Sequence, residues 1–277
     1  MQFSASEVST AEFDKNVLCS KGSGIEADYT VRPCLTQDEL AACIEIQKLI
    51  WGYSERDVYP PRFFMNLVRI GGHVLGAFSK QESLIGFVAS SPAWRGGHRY
   101  FYSLALGVVP ECVNQGVGRA LKFAQRRRAL REGIDCIEWT FDPLRTKNAH
   151  FNITRLGAIA RSYIPDYYGP VESSLQKGLP SDRLIAEWWL KSARVRKALA
   201  GEPPRNSRRK PAAEVHIPPD VGGLLESNPA QAQACQAAVR AEIQGHFARG
   251  LAITGFVCDG KSARYLFDYV GTGQGQP

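Results

Sequence analysis

Apolar positions along the chain change period several times, and each change marks an element. Leu40, Cys43, Ile44, Gln47, Ile50 and Trp51 fall on one face of a helix that opens at Thr36-Gln37-Asp38-Glu39, a capping-box pattern. Tyr29–Arg32 reads as a strand before it, and Pro61–Ile70 as a second helix with proline in its first turn, ended by Gly71-Gly72. His73–Phe78 and Leu84–Ala89 form a predicted hairpin joined across Ser79–Ser83. Trp94–Arg99 is a polar, glycine-rich connection to the apolar run Leu104–Val109, a buried strand stopped by Pro110. A helix over Ala120–Arg131 ends at Gly133, and Ile134–Phe141 is the next strand. Asn148–Leu156 is helical and closes at Gly157; strands follow at Ala158–Tyr163 and Leu184–Leu190, on either side of a proline- and glycine-rich loop, 164–183. Further on lie a helix over Asn228–Arg249 and a hairpin of Leu251–Cys258 with Arg264–Val270, turned at Asp259-Gly260.

The stretch that organises the rest is LALGVVPECVNQGVGRALK, residues 104–122: a strand, a short loop, and a helix opening on glycines. Gln115, Gly116, Val117, Gly118, Arg119 and Ala120 lead into that helix. Glycines there remove the Cβ atoms that would hold a ligand away from the backbone. Free N–H groups and the positive helix end suit a phosphate or pyrophosphate. The plainer reading is a tight strand-to-helix turn. Strand, helix, strand in this order implies a right-handed parallel crossover, and so a mixed α/β fold.

Composition bounds the partners. Of the 277 residues, 44% are hydrophobic, enough for a sizeable core, and the longest apolar runs fall well short of the ~20 residues that span a bilayer. The first residues, MQFSASEVSTAEFDKN, lack a basic start followed by an apolar stretch, so no secretory signal is expected. Seven scattered cysteines, none spaced Cys-x-x-Cys, fit reduced thiols in a cytoplasmic protein and speak against a zinc site. The formal charge of +7 resides in KSARVRKALAGEPPRNSRRK, residues 191–210; the remainder holds 26 basic and 26 acidic residues. That segment reads as a solvated connector in preference to a nucleic-acid contact.

The motif Gln115-x-x-Gly118-x-Ala120 after Leu106-Gly107-Val108-Val109-Pro110 resembles the acyl-CoA-binding motif of the GNAT acyltransferase superfamily. Trp139–Leu144, Asn148–Asn152, Leu156–Ala158 and Gly178–Arg183 extend the resemblance to a bacterial subfamily of predicted acetyltransferases, some similar to amino-acid N-succinyltransferases. The resemblance implies a GNAT fold: a central mixed sheet flanked by helices over 29–192, preceded by a flexible segment 1–28. A basic linker, 193–211, and a small C-terminal helix-hairpin addition, 212–277, complete the expected organisation. It also implies acetyl-CoA or another acyl-CoA, such as succinyl-CoA, held by the amides of Gln115–Ala120. The pantetheine arm would follow Leu106, Val108 and Val109, with Asn148 near its amides. Expected partners are this acyl-CoA and a small amine, without membrane, metal or nucleic acid, and a homodimer is allowed. Two departures stand out. Ile153 occupies the place where many relatives have a proton-donating tyrosine, and Tyr102-Ser103-Leu104 replaces a His-Ser-His segment.

Acyl transfer to an amine needs a base, a polarised thioester carbonyl and a route to protonate the thiolate. The polarising donor expected from the resemblance is a backbone N–H at a bulge near Leu106–Val108. Alternation along Cys136–Asp142 puts Glu138, Thr140 and Asp142 on one face. Glu138 is the first candidate for the base, with an arginine-paired structural carboxylate as the alternative. Asp142 either touches substrate or shapes the turn before the next helix, where Asn148 would be a cap. Tyr102 and Ser103 point to opposite faces, so at most one of them points into the acyl channel. Tyr163, Tyr167 and Tyr168 are alternative thiolate acids, and Arg183 offers a fork of donors to a substrate carboxylate. Alternatives to a small-amine enzyme are a protein or RNA acetyltransferase docking through the basic linker, and a CoA-binding module without catalysis.

Overall fold

A computed structural model describes residues 28–169, 178–205 and 209–271. The expected flexible segment 1–28 lies outside them except for Asp28, as does the middle of the loop 164–183. Among the described residues ten strands form one sheet in the order β1-β2-β3-β4-β5-β7-β6-β9-β10-β8. Strand β1 (Tyr29–Pro33) leads to α1 (Gln37–Trp51) and α2 (Pro61–Arg69). The capping box forms: Thr36 Oγ1 accepts from Glu39 N at 3.2 Å, and Glu39 accepts from the Thr36 amide at 3.1 Å. Both helices cover one face of the sheet, where Leu40, Cys43, Ile46, Phe64 and Leu67 meet Val74, Phe78, Phe87 and Ala105.

Strands β2 (His73–Ser79), β3 (Leu84–Arg95) and β4 (His98–Val108) form an antiparallel meander. The expected polar connection Trp94–Arg99 is instead the tip of a long hairpin. Arg95 faces His98 across Gly96 and Gly97, whose φ values of 59° and 78° suit a two-residue turn that matches strand twist. Helix α3 (Val117–Arg131) crosses the other face, packing Val117 and Leu121 on Leu75, Ala77 and Val88. It returns the chain to β5 (Cys136–Phe141), parallel to β4.

Next come α4 (Thr146–Ala149), a π-helical turn (His150–Arg155), and the antiparallel pair β6 (Ile159–Ile164) and β7 (Arg183–Trp189). The segment expected as a solvated basic connector begins with a helix, α5 (Ala193–Leu199), whose Val195 and Ala198 are buried. Its arginines work inside the fold. Arg194 donates to the carbonyls of Gly157 (2.9 Å), Ile153 (3.2 Å) and Ala158 (3.4 Å), and burial lowers its guanidinium to about 10. Arg205 pairs with Asp268 at 2.8 Å. Charge counting missed this because carbonyls at a helix end attract arginine as readily as solvent does.

Strand β8 (Ala213–Ile217) and helix α6 (Val221–Ser227) are further elements that the pattern did not reveal. Helix α7 (Pro229–Ala248) is capped by Asn228, and β9 (Leu251–Cys258) pairs with β10 (Ala263–Tyr269) as expected. Strand β9 meets β6 at Ala160↔Ile253, and Phe256, Tyr265 and Phe267 share one apolar cluster with Tyr163, Trp188 and Ile153. The C-terminal elements therefore extend the central sheet.

His73 opens β2 only 4% exposed, edge-on to Phe101 at 4.8 Å, and neither ring nitrogen bonds to a described residue. Burial, reinforced by Arg128 and Lys122, depresses the imidazole from 6.5 to about 3. The unfolded chain therefore binds the extra proton between those values, so stability falls as pH drops through the window. Between pH 7.5 and 5 this group should cost about 2 kcal/mol, and His73→Leu should lose correspondingly less stability over that range. Denaturant melts of both proteins at the two pH values measure the difference; parallel losses would remove His73 as the cause.

Candidate functional site

The parallel strands β4 and β5 stay together for only two residue pairs, Phe101↔Ile137 and Tyr102↔Glu138. Among the described residues strand β4 then runs on to Val108 with no strand paired on that side, so β4 and β5 part from Ser103 onward, and this fork is the cleft. A bulge sits at the fork: Ser103 faces Ser90, but Ala105 faces Ala89, leaving Leu104 as the extra residue. It lies earlier than the expected Leu106–Val108, and side-chain parity explains why. Ser103 turns to α3 and so do Leu106 and Val108, while Leu104 and Ala105 both pack toward α1. Odd and even positions can share the α3 face only if one residue is inserted between them.

Lys122 fills the space beside this fork. It is 2% exposed; its Nζ donates to Ser103 Oγ at 3.1 Å and Gln125 Oε1 at 3.0 Å, and lies 3.7 Å from the centre of the Trp139 ring. Burial drives its pKa well below that of an ordinary lysine. Gln125 in turn bonds Ser90 and Ser103. Sequence reading passed over Lys122, although a lysine on the stripe Val117, Leu121, Gln125 is a visible signal.

The mouth of the cleft is the loop before α3. Pro110–Cys112 makes a 3-10 turn, and Asn114 and Gly116 take φ of 67° and 86°, the left-handed region that asparagine and glycine tolerate. Gly116 is the N-cap and offers no side chain; Ala120 N is the first amide to bond back, to Gly116 O at 2.9 Å. The amides of Val117, Gly118 and Arg119 are thus left at the positive end of a fifteen-residue helix. Gly118 has ordinary φ, and a Cβ there would only touch Leu106 and Val108 at 3.7 and 3.8 Å. Gln115 donates to Glu111 O at 2.8 Å, and the Arg119 side chain leaves the mouth for Leu199 O, 2.9 Å away. Val109 is half-buried, and Asn148 is exposed on α4. That helix starts at Thr146, so Asn148 is not its cap; the turn is set instead by Asp142, whose Oδ1 accepts from Leu144 N at 2.8 Å.

On the face opposite α3, Tyr102, Glu138 and Glu187 stand in register across three strands. Glu138 pairs with Arg95 from the hairpin, and Glu187 with Arg161. Burial pushes the Glu138 carboxyl up, Glu187 adds to the shift, and Arg95 opposes it. Tyr168 hydroxyl lies 2.8 Å from Thr140 Oγ1, and Tyr167 packs edge-on to Tyr168 at 4.6 Å. Tyr53 and Tyr59, from the segment between α1 and α2, lie within electrostatic reach of Tyr168; burial raises both phenols, Tyr59 to about 12. The Tyr102 hydroxyl is buried near Tyr167 and Thr140 but makes no well-formed hydrogen bond among the described residues. Tyr102, Glu138, Thr140 and Tyr168 thus come together. Asp142 is turned toward Arg145, and Tyr163 donates its hydroxyl to buried Asp182. Arg183 stacks 5.0 Å from the Tyr168 ring and donates to Asp182 O at 2.7 Å. Sequence reading missed Glu187, whose charge interrupts the apolar run Leu184–Leu190, and Tyr53 and Tyr59, which carry no local signal. Among the described residues no cluster of three or more His, Cys, Asp or Glu is arranged to hold a metal.

The Acetyltransferase (GNAT) family profile matches residues 40–157, from α1 through the π-helical turn. That stretch is GNAT-like. The ribosomal-protein-S18-alanine N-acetyltransferase from Escherichia coli is 13% identical over 60% of this chain and 96% of its own, with a TM-score of 0.47. Arabidopsis thaliana NAA60 in complex with acetyl-CoA is 17% identical over 58% of this chain and 99% of its own, with a TM-score of 0.47. The comparison with curated proteins gives no match.

Gly118→Glu tests the mouth. Its carboxylate would occupy the space before the amides and oppose a phosphate there, so CoA affinity should fall at least tenfold, about 1.4 kcal/mol. The fold should persist, because Gly118 is not left-handed and an acid in the first helical turn stabilises by ~0.3–1 kcal/mol. Calorimetric titration with CoA beside circular dichroism reads both; unchanged affinity in a folded variant would make the loop a turn and nothing more.

Proposed function

We propose that the chain is a CoA-dependent N-acyltransferase that moves an acetyl or succinyl group to the amine of a small molecule, an amino acid being one candidate. The observation that carries this reading is the fork between β4 and β5, with uncapped helix amides at its mouth and a buried carboxylate–tyrosine row at its far side. The residues fit an acyl-CoA: amides of Val117, Gly118 and Arg119 for the pyrophosphate, and the edge of β4 from Ser103 to Val108, unpaired among the described residues, for the amide groups of the arm. When bound, that group supplies an activated acyl thioester.

The chain's own groups account for the rest. The bulge at Leu104 interrupts the regular pairing of β4 with β3, and a backbone N–H at that point would serve the oxyanion. Glu138 is the base, removing a proton from the acceptor ammonium directly or through water; a raised carboxyl pKa makes it a better base. Tyr102 and Tyr168 are the phenols positioned to return a proton, since Ile153 is a fully buried hydrocarbon. Docking of a macromolecule through 191–210 has less support, because Arg194, Arg196 and Arg205 bond within the fold.

Incubating the protein with acetyl-CoA or succinyl-CoA and a panel of amines, including D- and L-amino acids, should release free thiol with at least one pair. Glu138→Gln should lower kcat by roughly a hundredfold or more. In the wild type kcat/KM should fall as pH drops through the raised Glu138 pKa, and the variant should lose that limb. CoA binding without thiol release from any pair would leave a binding module in place of an enzyme.

A further inference from the structure

The acceptor face depends on a helix far along the chain. Asp182 is fully buried, and both of its oxygens are taken up. Oδ1 accepts from Asp166 N at 3.0 Å and Arg240 Nη2 at 2.9 Å; Oδ2 accepts from Arg240 Nε at 2.8 Å and from the Tyr163 hydroxyl. Next to it, Asp166 Oδ1 accepts from Ser181 N at 2.9 Å and Ser181 Oγ at 3.1 Å. Ser181 then fixes the two tyrosines: Tyr167 N donates to its carbonyl at 3.0 Å and Tyr168 N to its Oγ at 2.8 Å. Gln236, one turn before Arg240 on α7, holds Pro180 O at 3.0 Å.

Asp166 has φ of 42°, a conformation that costs an L-residue energy and persists only where surroundings fix it. The fixing group is Asp182, and a carboxylate wholly removed from water needs its cation. Arg240 meets it with two parallel bonds, a geometry lysine does not reproduce.

We infer that Arg240 is a positioning residue for the acceptor side: through Asp182 it holds the turn Pro165–Gly169, so that Tyr167 and Tyr168 stand over Tyr102 and Thr140. Helix α7 thereby bears on acceptor binding through Arg240 and Asp182. This rests on the acyltransferase reading for its consequence, while the clamp itself stands on geometry.

The test uses the full chain and the variants Arg240→Met and Arg240→Lys. Hydrogen exchange should accelerate at least tenfold at the amides of Asp166, Tyr167 and Tyr168 in Arg240→Met, and less in Arg240→Lys, with α3 and β5 unchanged. Acetyl-CoA affinity should stay within twofold. With the amine that the wild type acylates fastest, KM should rise about tenfold or more, and kcat should change less. Unchanged exchange in the turn, or equal acceleration throughout the sheet, would overturn the inference. So would a KM that stays put while the turn loosens. If Arg240→Met fails to fold, Tyr163→Phe, which removes one bond to Asp182 and keeps the ring, must show the same selective acceleration in weaker form; its absence overturns the clamp. A wild type that binds no acyl-CoA would defeat the acyltransferase reading instead, and the exchange result would still decide whether Arg240 holds the turn.

Discussion

Where β4 leaves β5, one buried amine ties both strands to α3. Lys122 reaches Ser103 on β4 and the Trp139 ring on β5, at the level where their two-residue pairing ends. A lysine without water is costly, and here that cost is offset by two hydrogen bonds and a ring face. With Ser103 held toward α3, the bulge at Leu104 lets Leu106 and Val108 face α3 as well. Strand β4 then follows α3 while β5 follows β7, and the gap between them is the cleft. Its mouth and its far side are consequences of the same divergence.

The two faces of the fork have different chemistry. Toward α3 the walls are apolar apart from the Lys122 network, and the mouth presents amides of one sign. On the other face, carboxylates, arginines and tyrosines converge from β4, β5, β7, the α1–α2 segment and the turn after β6. A thioester threaded from one side and an amine entering from the other would meet beside Glu138. Each acid on that face is matched with an arginine, Glu138 with Arg95 and Glu187 with Arg161. Arg95 is mostly exposed, so its hold on Glu138 is the weaker of the two.

Much of this was legible in the sequence wherever local rules govern. The capping box at Thr36, the helix beginning near Asn228, the glycine-opened helix and the final hairpin all follow from short-range chemistry, and the structure has them. The glycine loop could be read for the same reason, since Asn114 and Gly116 carry their φ requirement in their side chains. Other features depend on residues distant in the chain. The bulge position rests on Ser103 finding Lys122; the burial of Arg194 rests on carbonyls about forty positions earlier; the place of Tyr163 rests on Arg240. Helix α5 was hidden because its basic residues resemble a solvated linker, and Glu187 because an isolated acid in an apolar strand has no local partner to announce it.

On this reading the open edge of β4 and the uncapped amides of α3 form one continuous site for an acyl-CoA. Backbone-amide NMR during titration with coenzyme A tests it most directly. The account predicts saturable shifts confined to Leu104–Val108 and Asn114–Ala120, together with neighbours on β5, while amides of α7 and β10 stay in place. Shifts that saturate elsewhere, or none at concentrations well above those that occupy ordinary cofactor sites, would contradict it.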